Sequence, residues 1–367
     1  MSRSLSVALV ISAQGWRGSG ASFAKVAQGL LARGHRVQFI TAGERLTQRL
    51  VALGLPTTLL DLRKTGLREI GAVRRLFVAH DVDVAMVDTP RDLRLSVLAS
   101  VFRKTKVVYR YNLNYMAART DLGDRLYLGA AAGLAYQSAY IQADAERQAP
   151  FLRGKRSWRI PNGYDSEALR PDPAFGPALR ARYGISATAG LVVTGSKLVA
   201  NKNHHVVFEA LARLRAAGQE VHYLCCGDGG EEARLRALAA RLEVPATFTG
   251  FLEPHEMPAV LGGADVVAHP ADTEIFPNVI AESLLLERAV VASDAGGIPE
   301  VTGPDGATAR LVPPGDVAAW ADRIGALLRD PAARRTLGAA GRARIATEYP
   351  IARMQEGYLR MFEELAA

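Results

Sequence analysis

Cysteine is nearly absent from this chain. Its 367 residues hold two, Cys225 and Cys226, side by side. Adjacent residues of a strand point to opposite faces, which argues against a disulfide or a shared metal. Buried free thiols in a reducing compartment are the expectation. Long apolar runs are missing as well. No stretch of 18 or more apolar residues occurs, so no transmembrane helix is expected. The opening run Ser4-Leu-Ser-Val-Ala-Leu-Val-Ile-Ser12 has the length of a signal h-region. A glycine-rich turn and an amphipathic pattern follow it at once, which fits a first strand better. The expected location is the cytoplasm. Low-complexity tails and repeat arrays are also lacking. With 49% hydrophobic residues, the composition is that of a globular protein with a sizeable core.

The first part of the chain is short of acid. Residues 1–160 carry 25 Lys+Arg against 11 Asp+Glu, and the remainder carries 20 against 26. The two parts therefore differ in sign, +14 against −6. An arginine-rich genome would not spare the second half. The asymmetry points to a polyanionic partner for the first, either nucleic acid or an anionic membrane surface. Basic residues are not interleaved with aromatics here, which ranks nucleic acid low.

What is present is alternation. Short β-branched runs at Ser6–Ile11, Arg36–Thr41, Thr57–Leu60, Val82–Val87, Lys106–Tyr111 and Trp158–Ile160 are separated by helical patterns. A segment with three prolines, Arg170-Pro-Asp-Pro-Ala-Phe-Gly-Pro177, follows the turn Pro161-Asn-Gly-Tyr-Asp165. Alternation then resumes at Gly190–Gly195, Glu220–Cys226, Ala246–Gly250, Val266–His269, Ala289–Ser293 and Ala309–Val312. Such a pattern predicts α/β architecture, with two doubly wound parallel sheets of about six strands each. The length agrees with two domains.

Candidate ligand residues lie where strands of such sheets end. Gln14-Gly-Trp-Arg-Gly-Ser-Gly20 follows the first strand. It has not the spacing of a dinucleotide fingerprint, but a glycine turn entering a helix can cradle an anion. Asp81-Val-Asp83 resembles a metal-binding pair. It lies ahead of a strand, at the wrong end for a crevice, and reads better as a solvated turn. Gly195-Ser-Lys197 and Lys202 present two ammonium groups able to neutralise a diphosphate, or two ordinary surface lysines. Gly227-Asp-Gly229, Gly250-Phe251, His269-Pro270 and Ala295-Gly-Gly-Ile-Pro-Glu300 end the next strands of the second half.

Glu274-Ile-Phe-Pro-Asn-Val-Ile-Ala-Glu282 stands out among these. Pro277 suits the first turn of a helix. If Phe276 is the N-cap, no side-chain oxygen satisfies the first amides, and an anion can. Two carboxylates flanking such a place suit hydroxyl groups on either side of a phosphate, as in a nucleotide sugar. The alternative is a surface helix with two solvated glutamates.

Taken together, these motifs resemble a retaining glycosyltransferase of the two-domain GT-B fold, family 4, over nearly the whole chain. The resemblance rests on Glu274, Glu282 and Gly296-Gly297-Ile-Pro-Glu300. It rests also on Ile160-Pro-Asn-Gly-Tyr-Asp165 and on Gly34-His-Arg-Val37. It implies a Rossmann-like acceptor domain over 1–163, a nucleotide-sugar domain over 164–349, and a helix over 350–367 crossing back to the first. It implies donor contacts from Gly18, Ser196, Lys197, Lys202, Gly227, Gly229, Phe251, Glu274, Ile275, Phe276, Pro277, Asn278 and Glu282. Within that set Glu282 takes the ribose, Glu274 the sugar, and the lysines the diphosphate. Gly15, Trp16, Arg17, Gly18, Arg110 and Asn112 belong to the acceptor side. Catalysis falls to Glu274, Lys202 and Lys197, with Asn112 or Arg110 in place of the family's histidine. No metal or other cofactor is implied.

The chain departs from the family at three points. Ile275 stands where glycine is usual, Asn112 where histidine is, and Lys197 where arginine is. The implied partners are a UDP- or GDP-sugar, a lipid-linked or growing polysaccharide or lipopolysaccharide acceptor, and the inner face of the cell membrane. A silent scaffold subunit on the same fold and a nucleotide-sugar epimerase are the competing functions.

Overall fold

The computed structural model describes residues 3–13, 15–16, 18–62, 64–111 and 122–367, without the side chains of residues 122 and 124. The chain forms two compact units. One comprises Met1–Gly163 with Ile351–Ala367, the other Tyr164–Pro350.

In the first unit the elements run β1 (Ser6–Ile11), α1 (Gly18–Leu31), β2 (Arg36–Thr41), α2 (Glu44–Ala52), β3 (Thr57–Leu59), α3 (Leu67–Ala79) and β4 (Val84–Val87). They continue with α4 (Pro90–Ser100), β5 (Lys106–Arg110), α5 (Leu122–Ala130), β6 (Gly133–Tyr136), α6 (Ala139–Gln148) and β7 (Ser157–Arg159). The sheet is parallel, ordered β3-β2-β1-β4-β5-β6-β7. The order reverses between β1 and β4, both wholly buried, so the glycine turn after β1 lies at a topological switch point.

The sequence predicts six strands here and the structure has seven. Gly133-Leu-Ala-Tyr136 lacks β-branched residues, the usual strand signal. A Cβ on Gly133 would run into the Trp158 ring of β7, so packing demands glycine where propensity would place valine. The solvated reading of Asp81-Val-Asp83 needs correction too. Asp81 is exposed, but Asp83 is buried, accepting from the Ser6 amide at 2.9 Å and from Arg3 at 2.7 Å. It fastens the starts of β1 and β4.

The second unit contains α7 (Phe175–Tyr183), β8 (Gly190–Gly195), α8 (His204–Ala216), β9 (Val221–Cys226), α9 (Glu232–Arg241), β10 (Ala246–Gly250) and α10 (Met257–Gly262). It goes on through β11 (Val266–His269), α11 (Asn278–Leu285), β12 (Ala289–Ser293), α12 (Ile298–Thr302), β13 (Arg310–Val312), α13 (Val317–Arg329) and α14 (Pro331–Glu348). Its parallel sheet is ordered β10-β9-β8-β11-β12-β13. Strands covered on both faces explain the near-continuous apolar runs. Cys225 and Cys226 are both free and buried in β9.

The last helix, α15 (Ile351–Ala366), belongs to the first unit and packs on α1. Met354, Tyr358, Met361, Phe362 and Leu365 are buried at helical spacing. Gly29 of α1 leaves room for the Gln355 side chain, which would otherwise meet a Cβ. Each buried side chain of this size contributes roughly 1.5–3 kcal/mol, so truncating Phe362 would loosen the helix.

Candidate functional site

The second unit gathers polar groups where β8, β9, β11 and β12 end. The loop after β8 carries Ser196 and Lys197, turns through a 3-10 segment Ala200–Lys202, and enters α8. The loop after β9 lies directly on it. Ser196 donates its amide to Cys226, and Leu198 to Asp228, at 3.0 and 2.9 Å. A Cβ on Gly227 would strike the Ser196 carbonyl, and one on Gly229 the Leu198 carbonyl. Both glycines are therefore required by this close backbone contact, whatever they do toward a ligand. Lys197 is exposed, and Phe251, past β10, is 53% exposed.

Glu274 follows β11 and is held from two sides. Lys202 Nζ forms an ion pair with Glu274 Oε1, and His269 Nε2 lies 3.0 Å from the same oxygen. Burial opposes ionisation of this carboxyl, but His269 and Lys202 prevail and bring it down to about 2. The Lys202 loop is tied to the Glu274 loop elsewhere as well. The Asp272 amide donates to Asn201, and the Asn203 side chain reaches the Asp272 carboxylate.

Gly296 and Gly297, after β12, close over Glu274 and Ile275. Gly297 donates its amide to the Glu274 carbonyl at 2.7 Å, and a Cβ on Gly297 would strike the Ile275 carbonyl. Gly296 has φ +60, and a Cβ there would meet the Glu274 backbone at 2.6 Å. The glycine pair in Gly-Gly-Ile-Pro-Glu300 thus has a steric cause. Ile275 itself packs, partly buried, against the core.

The helix start differs by one residue from the sequence reading. Pro277 is the N-cap of α11, and the helix opens at Asn278. Phe276 is not a cap but a buried anchor, stacked on Tyr164 and edge-on to Tyr349. Asn278 Oδ1 accepts from the Tyr164 hydroxyl at 2.6 Å. Pro277 offers the first amides no side-chain cap, so they remain a place for negative charge. Glu282 stands one turn along α11, half-buried.

In the first unit Gly15 and Trp16 are half-buried, with the Arg49 guanidinium 4.9 Å from the centre of the Trp16 ring. Gly18 opens α1. Arg17 and Asn112 lie outside the described residues. Arg110, expected on the acceptor side and as a replacement for the family's histidine, is turned into the protein. It is 3% exposed, and its guanidinium donates to Tyr358 Oη (3.1 Å), Asn162 Oδ1 (2.9 Å) and Ser22 Oγ (3.3 Å). It ties together α1, β5, α15 and the turn after β7. Nearby, Asp88 and Asp92 are buried at the ends of β4 and β1. Asp92 accepts from the Ser12 amide at 3.0 Å. Burial, with Asp88 beside it, pushes Asp92 up to about 7.

Sequence reasoning missed His204 and gave His269 a place but no role; both are buried beside the loops just described. The one signal for His269 was its place at a strand end. Also missed was a cavity of about 890 Å3 at the ends of β1, β2 and β3, lined by Gly15, Glu44, Arg45, Leu59 and Asp61 among others. Among the described residues no cluster of three or more His, Cys, Asp or Glu could hold a metal ion.

Residues 177–344, inside the second unit, match the family model described as glycosyl transferases group 1. Over 198 residues the chain is 32% identical to the GDP-mannose-dependent monoacylated alpha-(1-6)-phosphatidylinositol monomannoside mannosyltransferase of Corynebacterium glutamicum. That match covers 52% of this chain and 51% of the relative. The chain thus spans about half the length of such curated relatives. A glycosyltransferase structure from Rickettsia africae ESF-5 superposes with a TM-score of 0.88 at 18% identity, covering 99% of both chains. Anabaena HepE in complex with UDP-glucose does so with a TM-score of 0.86 at 20% identity, covering 98% of this chain and 100% of that one. The fold is GT-B, and residues 177–344 of the second unit are similar to the group 1 glycosyl transferases.

Proposed function

We propose that this protein transfers a hexosyl group from a nucleotide-diphosphate sugar to a hydroxyl of a lipid-linked or glycan acceptor, with retention of configuration and without a metal. The observation that carries the reading is the Lys202–Glu274 pair, just ahead of the uncapped start of α11, with the exposed Lys197 on the same loop as Lys202. The Corynebacterium relative is named for GDP-mannose, and the Anabaena structure holds UDP-glucose. Both kinds of donor suit two ammonium groups and a helix start. Glu282 would hold the ribose and Glu274 the sugar hydroxyls.

In the step itself, the bond from the anomeric carbon to the β-phosphate oxygen breaks, and its electron pair leaves with the nucleoside diphosphate. The acceptor oxygen bonds the same carbon from the same face. Its proton passes to the departing phosphate oxygen. Lys197, Lys202 and the α11 amides meet the charge that develops there. Each well-placed donor to such charge is typically worth about 3–4 kcal/mol of barrier.

The first unit would bind the acceptor, and the cavity beside Gly15 supplies room for it. Peripheral contact with an anionic membrane on its cytoplasmic face is supported by the exposed Lys64, Arg68, Arg75 and Arg91. Arg74 and Arg103 are tied to backbone carbonyls where α3 meets α4, and contribute less. No helix among the described residues is long and apolar enough to cross a membrane.

Thermal shift against a panel of UDP- and GDP-sugars tests the donor half. A ligand at a hundred times its Kd adds about 2.7 kcal/mol of stability. Transfer that Glu274→Ala abolishes confirms an enzyme. Donor binding without turnover on any lipid or glycan acceptor would favour a scaffold.

A further inference from the structure

We infer that His204 is the positioning residue of the diphosphate loop: its imidazole, buried at the start of α8, holds Ser196 and the Lys197 carbonyl, and so aims the ammonium of Lys197. This rests on the reading of the second unit as the donor site.

The loop from Ser196 to Lys202 must leave a buried strand, present its lysine side chains, and return to a buried helix. Most of its fixings are backbone bonds, from the Ser196 and Leu198 amides to the β9 loop and from the Asp272 amide to the Asn201 carbonyl. The Lys197 carbonyl has only the adjacent Val199 amide, at 3.0 Å, to orient it from the backbone. His204 supplies what is missing. It is 2% exposed, with Nε2 2.9 Å from Ser196 Oγ and 3.2 Å from the Lys197 carbonyl.

The other side of the ring is anchored in the sheet. Nδ1 lies 3.2 Å from Tyr223 Oη and 3.3 Å from Cys225 Sγ. Tyr223 donates to Thr194 Oγ1 at 2.8 Å, and Thr194 donates to the Ala268 carbonyl at 2.9 Å. A chain of side-chain contacts thus runs from β11 through β8 and β9 to the loop. Asn203 cannot do this work. It sits at φ +48 with its side chain on Asp272 and gives α8 no cap. Burial also brings the imidazole down to about 4, which keeps it neutral near the loop's two ammonium groups. A neutral ring orients the loop without repelling the ammonium groups it presents.

The ring's two nitrogens make the inference separable from simple packing. Phenylalanine fills the same space with neither nitrogen, whereas glutamine restores a polar end toward Ser196. Titration of UDP and GDP onto the whole protein, with donor kinetics, is the experiment. For His204→Phe the Kd of whichever nucleotide binds rises about tenfold or more and kcat/KM falls further. His204→Gln recovers most of both losses, and the melting temperatures of the two variants stay close together. Ser196→Ala, which removes the hydroxyl at the other end, weakens binding too, and its effect is not additive with His204→Phe. Unchanged nucleotide affinity in His204→Phe overturns the inference. So do losses that follow melting temperature alone in all three variants, or full additivity in the pair. If wild-type protein binds neither nucleotide, the donor-site reading itself fails, and that result appears in the control arm before any variant is read.

Discussion

The two units share a fold but place their charges in opposite ways. In the second, the charged pair past the strand ends stays in reach of solvent, with Lys202 19% exposed and Glu274 20%, in front of the buried His269. In the first, the groups at the corresponding ends are driven inside. Arg110, Asp88 and Asp92 are nearly or fully buried and face protein groups. A charge that is paired but left in reach of solvent can exchange its partner for a ligand. A buried one holds the fold, because removing its partner strands an uncompensated charge. The same residue types at equivalent places therefore predict different losses.

Arg110→Ala should show the largest of these. It removes the counter-charge that opposes the upward push of burial on Asp88, and it leaves Tyr358 and Asn162 short of a partner. Breaking a buried pair typically costs about 3–5 kcal/mol. The expected readout is a fall in unfolding free energy with nucleotide binding unchanged. A variant of normal stability that fails only with acceptor would restore Arg110 to the acceptor side and break the comparison.

Lys202→Ala in the second unit should do the reverse. Transfer should drop by about two to three orders of magnitude, the size found when one donor to developing charge is lost. Stability should fall less than in Arg110→Ala, because Glu274 keeps its contact with His269. Equal kcat in variant and wild type would remove Lys202 from the step.

Asp92 sharpens the contrast through pH. Its carboxyl stays protonated to about 7 in the fold, against about 4 when unfolded. Between these values the folded form holds a proton that the unfolded form has released. The contribution of this group to stability is therefore full below pH 4, falls as pH rises, and is lost above 7. The total loss from it is on the order of 4 kcal/mol. Asp92→Asn mimics the protonated acid and can still accept from the Ser12 amide. It should melt higher than wild type at pH 8 and close to it at pH 4. An advantage that does not vary with pH would refute the buried proton.

This contrast was only half legible in the amino-acid order. The two doubly wound sheets follow from alternating β-branched runs and helical patterns. Glu274, Glu282 and the Gly296–Gly297 pair lie close enough in sequence for their spacing to be read. The rest depends on contacts that no local pattern carries. Arg110 meets Tyr358 across 248 positions, and Ser22 meets Asn162 across 140. His204 is one of two adjacent histidines in a helix start, and nothing in His204-His205 says which is buried. The strand Gly133–Tyr136 was hidden because a neighbouring tryptophan, not backbone propensity, chose its first residue.

The smallest expected effect concerns Ile275, where the chain departs from the pattern of the family it resembles. Its side chain packs partly buried on the core, and its carbonyl faces Gly297. Replacing it by glycine removes that packing and adds backbone freedom, which together cost roughly 1–3 kcal/mol. Glu274 would keep Lys202 and His269, because both contacts are made by its side chain. Turnover of the preferred donor should then fall only severalfold, while the ratio of kcat/KM between two hexose donors shifts by about tenfold, the scale of one hydrophobic contact in a pocket. Comparing that ratio in Ile275→Gly with the ratio in Ile275→Val separates pocket shape from stability, since valine keeps the branch and most of the packing. If both variants leave the ratio at its wild-type value, Ile275 belongs with Arg110 among the residues that hold the fold, and the sugar is chosen elsewhere.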